Sequence, residues 1–280
     1  MTQTFGDKLL DAASTRGRLC VGIDPHESLL RAWGLPVDAT GLAEFSRICV
    51  EAFADTVALV KPQVAFYERF GSRGFAVLEE TIGTLREQGC LVVSDAKRGD
   101  IGSTMAGYAT AWLDPASPLS SDAVTVSPYL GFGSLQPVFD LAEEHGRGVF
   151  VLAATSNPEA RVLQDQTDAA GVSISQQIVN EAAALNAPHR AQHRAGNIGV
   201  VVGATLTDPP VLSGLNGAIL MPGVGAQGGT ARDVDTIAGD MSHLAFPNVS
   251  RAVLAQGPDV ENLRAAVSET AAAFPGFPRS

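Results

Sequence analysis

The 280-residue chain has only three cysteines, Cys20, Cys49 and Cys90, an odd number, scattered, each beside apolar neighbours. That scarcity argues against a disulfide framework or a cysteine-built metal site and fits reduced core thiols. Basic residues are also in short supply, with 19 Lys and Arg against 30 Asp and Glu, a net charge of −11. A nucleic-acid surface needs a clustered basic face to displace counterions from phosphates, so the balance argues against one. Any anionic ligand has to be held by local groups. No apolar run reaches the roughly 18 residues of a membrane span, so no membrane association is expected. The opening residues "MTQTFGDKLLDAASTRGR" lack a basic start, an apolar core and a small-residue cleavage site, and the expectation is a cytoplasmic protein.

What is present is a globular composition, 45% hydrophobic and 18% charged. Short β-branched runs alternate with longer amphipathic stretches. The runs are "LCVGID" (19–24), "VALVKP" (57–62), "CLVVSD" (90–95), "AVTVSP" (123–128), "GVFVLAA" (148–154), "IGVVVGA" (198–204), "GAILMPG" (217–223) and "SRAVL" (250–254). Between them lie helix-like segments such as "GLAEFSRICVEAFADT" and "GFAVLEETIGTLREQG", the second closed by a glycine just past its last turn. Near-continuous apolar strands separated by helices indicate a parallel sheet buried on both faces. The pattern predicts an α/β fold, a single (β/α)8 TIM barrel over residues 1–280, in preference to a doubly wound open sheet. Irregular stretches near 25–41, 155–171 and 186–197 are long for barrel loops and read as elaborations over the site or the rim.

In such a barrel the C-terminal ends of the strands and the loops after them build the site. The runs end with Asp24, Lys61, Asp95 with Lys97, Ser127, Thr155-Ser156, Gly203 and Pro222-Gly223, and Arg251 stands near the start of the last. The densest charge is in "SDAKRGDIGST" (94–104). Asp95 and Lys97 are two apart, so if the strand continues both side chains point into the mouth. Asp100 lies beyond Gly99 and need not share that face. At roughly 4 Å and an effective dielectric near 20, an Asp and Lys pair gains about 4 kcal/mol, enough to hold an ammonium against partial desolvation. An ammonium so held can deliver a proton to a carbanion. Lys61 and Asp24 on neighbouring strands extend this into an alternating row of charges.

A solvated turn is the plainer account of such a charge run. The apolar strand leading in and the matching charges on the first two strands favour a site. Elsewhere, "PGVGAQGG" (222–229) lacks the Lys-Ser/Thr of a nucleotide P-loop. His189 and His193 are spaced to share a helix face, but no third zinc ligand accompanies them, which favours a surface or helix-end role. Tyr129 is assigned to packing.

"DAKRGDI" (95–101) matches the D-x-K-x-x-D-I signature of the orotidine 5′-phosphate decarboxylase family. "VGIDP", "LVKPQVAFYE" and "PGVGAQGG" also look like that family, and "SPYLGFGSL" with "VFVLAATSNPEA" resembles its longer bacterial subgroup. The resemblance implies a decarboxylation of orotidine 5′-phosphate (OMP) to UMP that uses no cofactor and no metal, in a homodimer with its sites at the subunit interface. It makes Lys97 the proton donor to pyrimidine carbon 6 and places Asp95 by the leaving carboxylate. Asp100 and Thr104 would enter the partner subunit's site near the ribose hydroxyls, with Asp100 also beside the catalytic lysine, and Ile101 would line the pocket for the substrate carboxylate. Asp24 and Lys61 would bind ribose, Ser156 the pyrimidine, and Pro222, Gln227 and Arg251 the rest of the nucleotide, with Arg251 on the phosphate. One departure is Ser250 before Arg251, where many family members have glycine.

Carbon dioxide loss would leave a localised carbanion, and a fixed ammonium is the stabiliser that these residues offer. Two alternatives remain: a metal-dependent keto-sugar-phosphate decarboxylase or aldolase that shares the D-x-K-x-x-D core, and a non-catalytic nucleotide-binding barrel. The first usually has Ala-Gly after the last Asp and a metal-binding acid on the second strand, where this chain has Ile101 and Lys61-Pro62-Gln63. The intact Asp-Lys-Asp row speaks against the second.

Overall fold

A β-branched run of this length can cross a barrel wall once, and in the computed structural model, which describes residues 3–277, the first seven runs do so. The strands are β1 (Cys20–Ile23), β2 (Leu59–Pro62), β3 (Leu91–Arg98), β4 (Ala123–Val126), β5 (Gly148–Ala154), β6 (Ile198–Val202), β7 (Ile219–Pro222) and β8 (Ala245–Val249). All pair in parallel and in sequence order, and β8 closes on β1 through Cys20 opposite Asn248 and Val21 opposite Val249. The sheet is therefore a closed barrel and not an open one. Helices α1 (Phe5–Arg16), α2 (Glu27–Ala32), α3 (Ala39–Phe53), α4 (Val64–Glu68), α5 (Gly71–Glu87) and α6 (Gly102–Leu113) belong to the first half. The second half carries α7 (Gln136–His145), α8 (Arg161–Gln164), α9 (Ile174–Arg190), α10 (Ala231–Ala238), α11 (Arg251–Leu254) and α12 (Val260–Ala271).

Three expectations need correction. The eighth strand is "AFPNV" (245–249), and "SRAVL" is the loop end and short helix after it. Pro247 disguises the strand, because a proline gives up a ladder donor and normally marks an edge. The connection from β6 to β7 carries no helix among the described residues; Pro209-Pro210, Gly214 and Gly217 break any helical run there. Finally, residues 186–190 are the last turn of α9 despite Pro188. Asn186 holds that turn down: its amide donates to the Ile198 and Leu215 carbonyls and its oxygen accepts from the Ile198 N–H. His193 lies past the helix end, with a positive φ of 56°, so it shares no helix face with His189, which instead meets Glu143 at 2.9 Å.

The period of two along each strand sorts the side chains. Leu59, Val93, Ala123, Phe150, Leu220 and Phe246 fill a layer inside the barrel together with Phe5 and Leu9 of α1. The Phe5 ring meets Phe150 edge-on at 5.9 Å, which closes the N-terminal end of the barrel. Alternate residues such as Val21, Val60, Val92 and Val124 face outward into the larger core beneath the helices. All three cysteines are free and buried, and burial pushes the Cys20 and Cys90 thiols up to about 12. Among the described residues no helix is long and apolar enough to cross a membrane.

Candidate active site

Two residues beyond the apolar interior layer, the same strand faces present Lys61, Asp95, Leu152, Pro222 and Asn248, and these line a cavity of about 480 Å³ at the C-terminal mouth. The lining also includes Asp24, Lys97, Ser156, Gln227 and Arg251. Eight of the residues singled out in the sequence thus converge on one space. Asp100, Ile101 and Thr104 do not line it: Ile101 is 61% exposed and Thr104 is exposed on the first turn of α6.

Strand β3 continues to Arg98, so Asp95 and Lys97 do meet, but not by simple alternation. Between Ser94 and Arg98 the pairing with β4 slips: Ser94 pairs with Val124 and Arg98 with Val126, a bulge in β3. Bulges beside active sites re-aim side chains. Lys97 adopts φ +47°, rare for a residue with a side chain and costing about 1–3 kcal/mol, so the surroundings must hold it. Its backbone N–H donates to Thr125 Oγ1 at 2.9 Å and its ammonium donates to Asp95 Oδ1 at 2.6 Å. Past the bulge, Gly99 passes so near β4 that a Cβ there would lie 2.5 Å from the Ser127 carbonyl oxygen.

From β2, Lys61 donates to Asp95 Oδ2 at 2.9 Å and to Gln63 Oε1 at 3.1 Å, and its Nζ stands 3.9 Å from Asp24 Oδ1. The anticipated row is present as Asp24, Lys61, Asp95, Lys97. Its inner members are buried, with 5% of the Lys61 side chain and 8% of Asp95 exposed against 45% of Lys97. Burial is the largest single influence on Lys61 and pulls it down, but the Asp95 and Asp24 charges and the hydrogen bond to Asp95 together hold its ammonium above the ordinary value. Burial would likewise raise the Asp95 carboxyl; the Lys61 and Lys97 charges and hydrogen bonds overturn it and hold the group well below the usual carboxylate range. The arrangement can keep a cation fixed at the edge of the cavity, where it would face developing negative charge.

The glycine-rich segment after β7 is a tight turn stitched by its own backbone, with Gly225 N–H to Gly229 O at 3.0 Å and Gly229 N–H to Gly223 O at 3.0 Å. It brings Gln227 across the mouth, where the Ser156 hydroxyl lies 3.2 Å from Gln227 Oε1. Arg251, exposed at the start of α11, follows directly on the true β8. Asn248 was missed because its strand was misplaced, whereas Gln63, His26 and Phe66 stood in quoted or adjacent segments without any charge or spacing to single them out. The His26 ring meets Phe66 at 4.3 Å, inclined by 59°, at the rim.

Ser250 has its own accommodation. A Cβ on Gly22 would lie 1.9 Å from Ser250 Oγ and 3.1 Å from Asp24 Oδ1, so glycine on β1 leaves the room that the serine just after β8 occupies. Gly22→Ala is expected to cost about 1–3 kcal/mol by overpacking. At roughly 2–4 °C per kcal/mol this lowers Tm by several degrees. Adding Ser250→Gly to the same chain should restore most of the loss in a thermal melt, and additive losses in the double variant would show that the two residues do not compete for space.

Comparison with known proteins bears on the whole chain. The family model described as "Orotidine 5'-phosphate decarboxylase / HUMPS family" matches residues 17–266. The orotidine 5′-phosphate decarboxylase of Corynebacterium efficiens is 95% identical over 280 residues, covering 100% of both chains. Among solved structures, a candidate orotidine 5′-phosphate decarboxylase from Streptomyces avermitilis superposes with a TM-score of 0.93 at 51% identity, covering 98% of this chain and 95% of that one. Leishmania donovani OMP decarboxylase gives a TM-score of 0.73 at 32% identity over 95% and 96% of the two chains. Neither the keto-sugar-phosphate reaction nor a non-catalytic barrel gains support from these relatives. Matched end to end in sequence and in the closing of its barrel, the chain belongs to the orotidine 5′-phosphate decarboxylase / HUMPS family.

Proposed function

We propose that the chain, acting as a single barrel domain over residues 1–280, converts OMP to UMP and carbon dioxide, with Lys97 as the proton donor. The supporting observation is the charged row in which one buried carboxylate, Asp95, takes Lys61 on one oxygen and Lys97 on the other. As the bond from pyrimidine carbon 6 to the carboxyl carbon breaks, its electron pair stays on carbon 6. The Lys97 ammonium faces that charge, then gives up a proton to form the new C–H bond. The neutral amine regains a proton from solvent. Asp95 keeps Lys97 in place beside the leaving carboxylate. Stabilisation of the developing carbanion, rather than repulsion of the ground state, carries the rate in this account.

Asp24 Oδ1 is buried and makes no hydrogen bond among the described residues, so a ribose hydroxyl finds an acceptor there, with Lys61 alongside. Ser156 takes the pyrimidine edge, Pro222 packs on the ring, and Gln227 and Arg251 take the phosphate. For Asp100, Ile101 and Thr104, which lie outside the cavity, the proposed role is across a homodimer interface. Ile101, Tyr129 and Leu130 are 61%, 76% and 54% exposed on neighbouring loops, an apolar patch of the kind that a second copy of this chain would cover. A cytoplasmic location suits such a pathway enzyme.

The test is the ultraviolet absorbance loss of OMP on conversion to UMP, followed with EDTA present. Turnover unaffected by the chelator is expected. No loss of OMP, or a rate abolished by EDTA and restored by magnesium, would contradict the proposal.

A further inference from the structure

We infer that Thr125, which does not line the cavity, is a positioning residue for the decarboxylation, tying the backbone of Lys97 to the carboxylate that holds its amine. The inference rests on the role proposed for Lys97. Strand β4 is otherwise apolar, and Val124 and Val126 flank Thr125. Ala123 faces the barrel interior, so Thr125, two residues on, faces it as well. The residue is fully buried, and valine would have the same branched shape with no polar atom to satisfy. A hydroxyl at this place therefore needs a reason beyond strand formation.

The hydrogen bonds supply one. Thr125 Oγ1 lies 2.8 Å from Asp95 Oδ1 and 2.9 Å from the Lys97 backbone nitrogen. Their direction is unambiguous, because a peptide N–H can only donate and an ionised carboxylate can only accept. The relay runs from Lys97 N–H to the Thr125 oxygen, and from the Thr125 O–H to Asp95. The Lys97 ammonium donates to the same Asp95 oxygen at 2.6 Å. Lys97 is thus held at both ends by one carboxylate, directly at Nζ and through Thr125 at its backbone.

That second attachment matters because of the bulge. Between Ser94 and Arg98 the regular pairing with β4 is interrupted, and Lys97 sits within the interruption at φ +47°. The threonine side chain stands in for the missing ladder acceptor. Without it, the Lys97 N–H is left in a part-buried position with no partner from β4, and the strained backbone loses a restraint. The amine then swings from a displaced Cα. A shift on the order of 1 Å at a reacting group is enough for a roughly 100-fold loss of rate.

The experiment compares Thr125→Val and Thr125→Ser in the full chain. For Thr125→Val we expect kcat to fall by roughly 10- to 100-fold with KM for OMP and the Kd for UMP within about threefold of the unaltered chain. Thr125→Ser keeps the hydroxyl and should remain within about threefold in kcat. Amide hydrogen exchange at Lys97, read by NMR, should quicken in the valine variant and not in the serine variant. A kcat for Thr125→Val within twofold of the unaltered chain would overturn the inference, as would an equal loss in both variants or a loss confined to KM. If the valine variant does not fold, Thr125→Ala is measured against Thr125→Ser with the same outcomes. Failure of the proposed reaction itself shows in the unaltered chain, whereas failure of this inference shows only among the variants.

Discussion

Replacing Lys97 by alanine is expected to lower kcat on OMP by roughly 10⁴-fold or more, while UMP still binds. Two separate contributions vanish together. A positioned general acid supplies about 10²–10⁴-fold, and a preorganised charge aimed at developing negative charge supplies about 10²–10³-fold. In this site the same Nζ, 2.6 Å from Asp95 Oδ1, has to provide both. Nothing else along the row can replace it: Lys61 is buried and committed to Asp95, Gln63 and Asp24. In the proposed binding mode ground-state affinity draws on different groups, including Arg251, Gln227 and Ser156, and calorimetry with UMP separates the two effects. A variant turning over at nearly the original rate would remove Lys97 from the mechanism.

Asp95→Asn should produce the largest loss of stability of any single change in the site, together with a severe loss of activity. The carboxylate accepts Lys61 on Oδ2 and both Lys97 and Thr125 on Oδ1. An amide offers one acceptor only, so whichever way it is turned its NH2 confronts an ammonium. Removing one partner from a buried ion pair costs about 3–5 kcal/mol, and at roughly 2–4 °C per kcal/mol the Tm falls by about 6–20 °C. The pH dependence follows from the lowered Asp95 value. A carboxyl depressed on folding adds stability above its unfolded value, near 4, and that contribution drains away as pH falls further toward the native value. The asparagine variant has no such contribution to lose. Its deficit relative to the original chain should therefore be constant near neutrality and narrow below about pH 4. A deficit that widened on acidification would mean that Asp95 is not the ionised centre of the row.

Most of the barrel was legible in the sequence because a parallel strand buried on both faces leaves a run of β-branched residues with little ambiguity, as in Gly148–Ala154 and Ile198–Val202. The eighth strand was not, since Pro247 carries a local signal against pairing that barrel closure overrides. The same misplacement hid Asn248, whose neighbour Arg251 was found by its charge. Strand-end charges singled out Asp24, Lys61, Asp95 and Lys97, which the structure brings together in one row, because charge has few other reasons to follow an apolar strand. The geometry joining them was not readable: alternation puts Asp95 and Lys97 on one face but says nothing of a bulge or of φ +47°. Thr125 escaped for a related cause. Its partners are 30 and 28 residues away in the chain, and threonine is an ordinary strand residue. For Asp100, Ile101 and Thr104, one chain alone shows only that they lie outside the cavity.

The Phe5 plug has a consequence for traffic. With the far end of the barrel filled by an aromatic ring against Phe150, the cavity among the described residues opens at the strand ends, the side that incoming nucleotide, departing nucleotide and carbon dioxide would share. On the proton-donor role proposed for Lys97, water bringing its replacement proton would use the same opening, which a bound nucleotide would obstruct. Recharging of the lysine would then follow release, and occupancy of that opening would order each cycle.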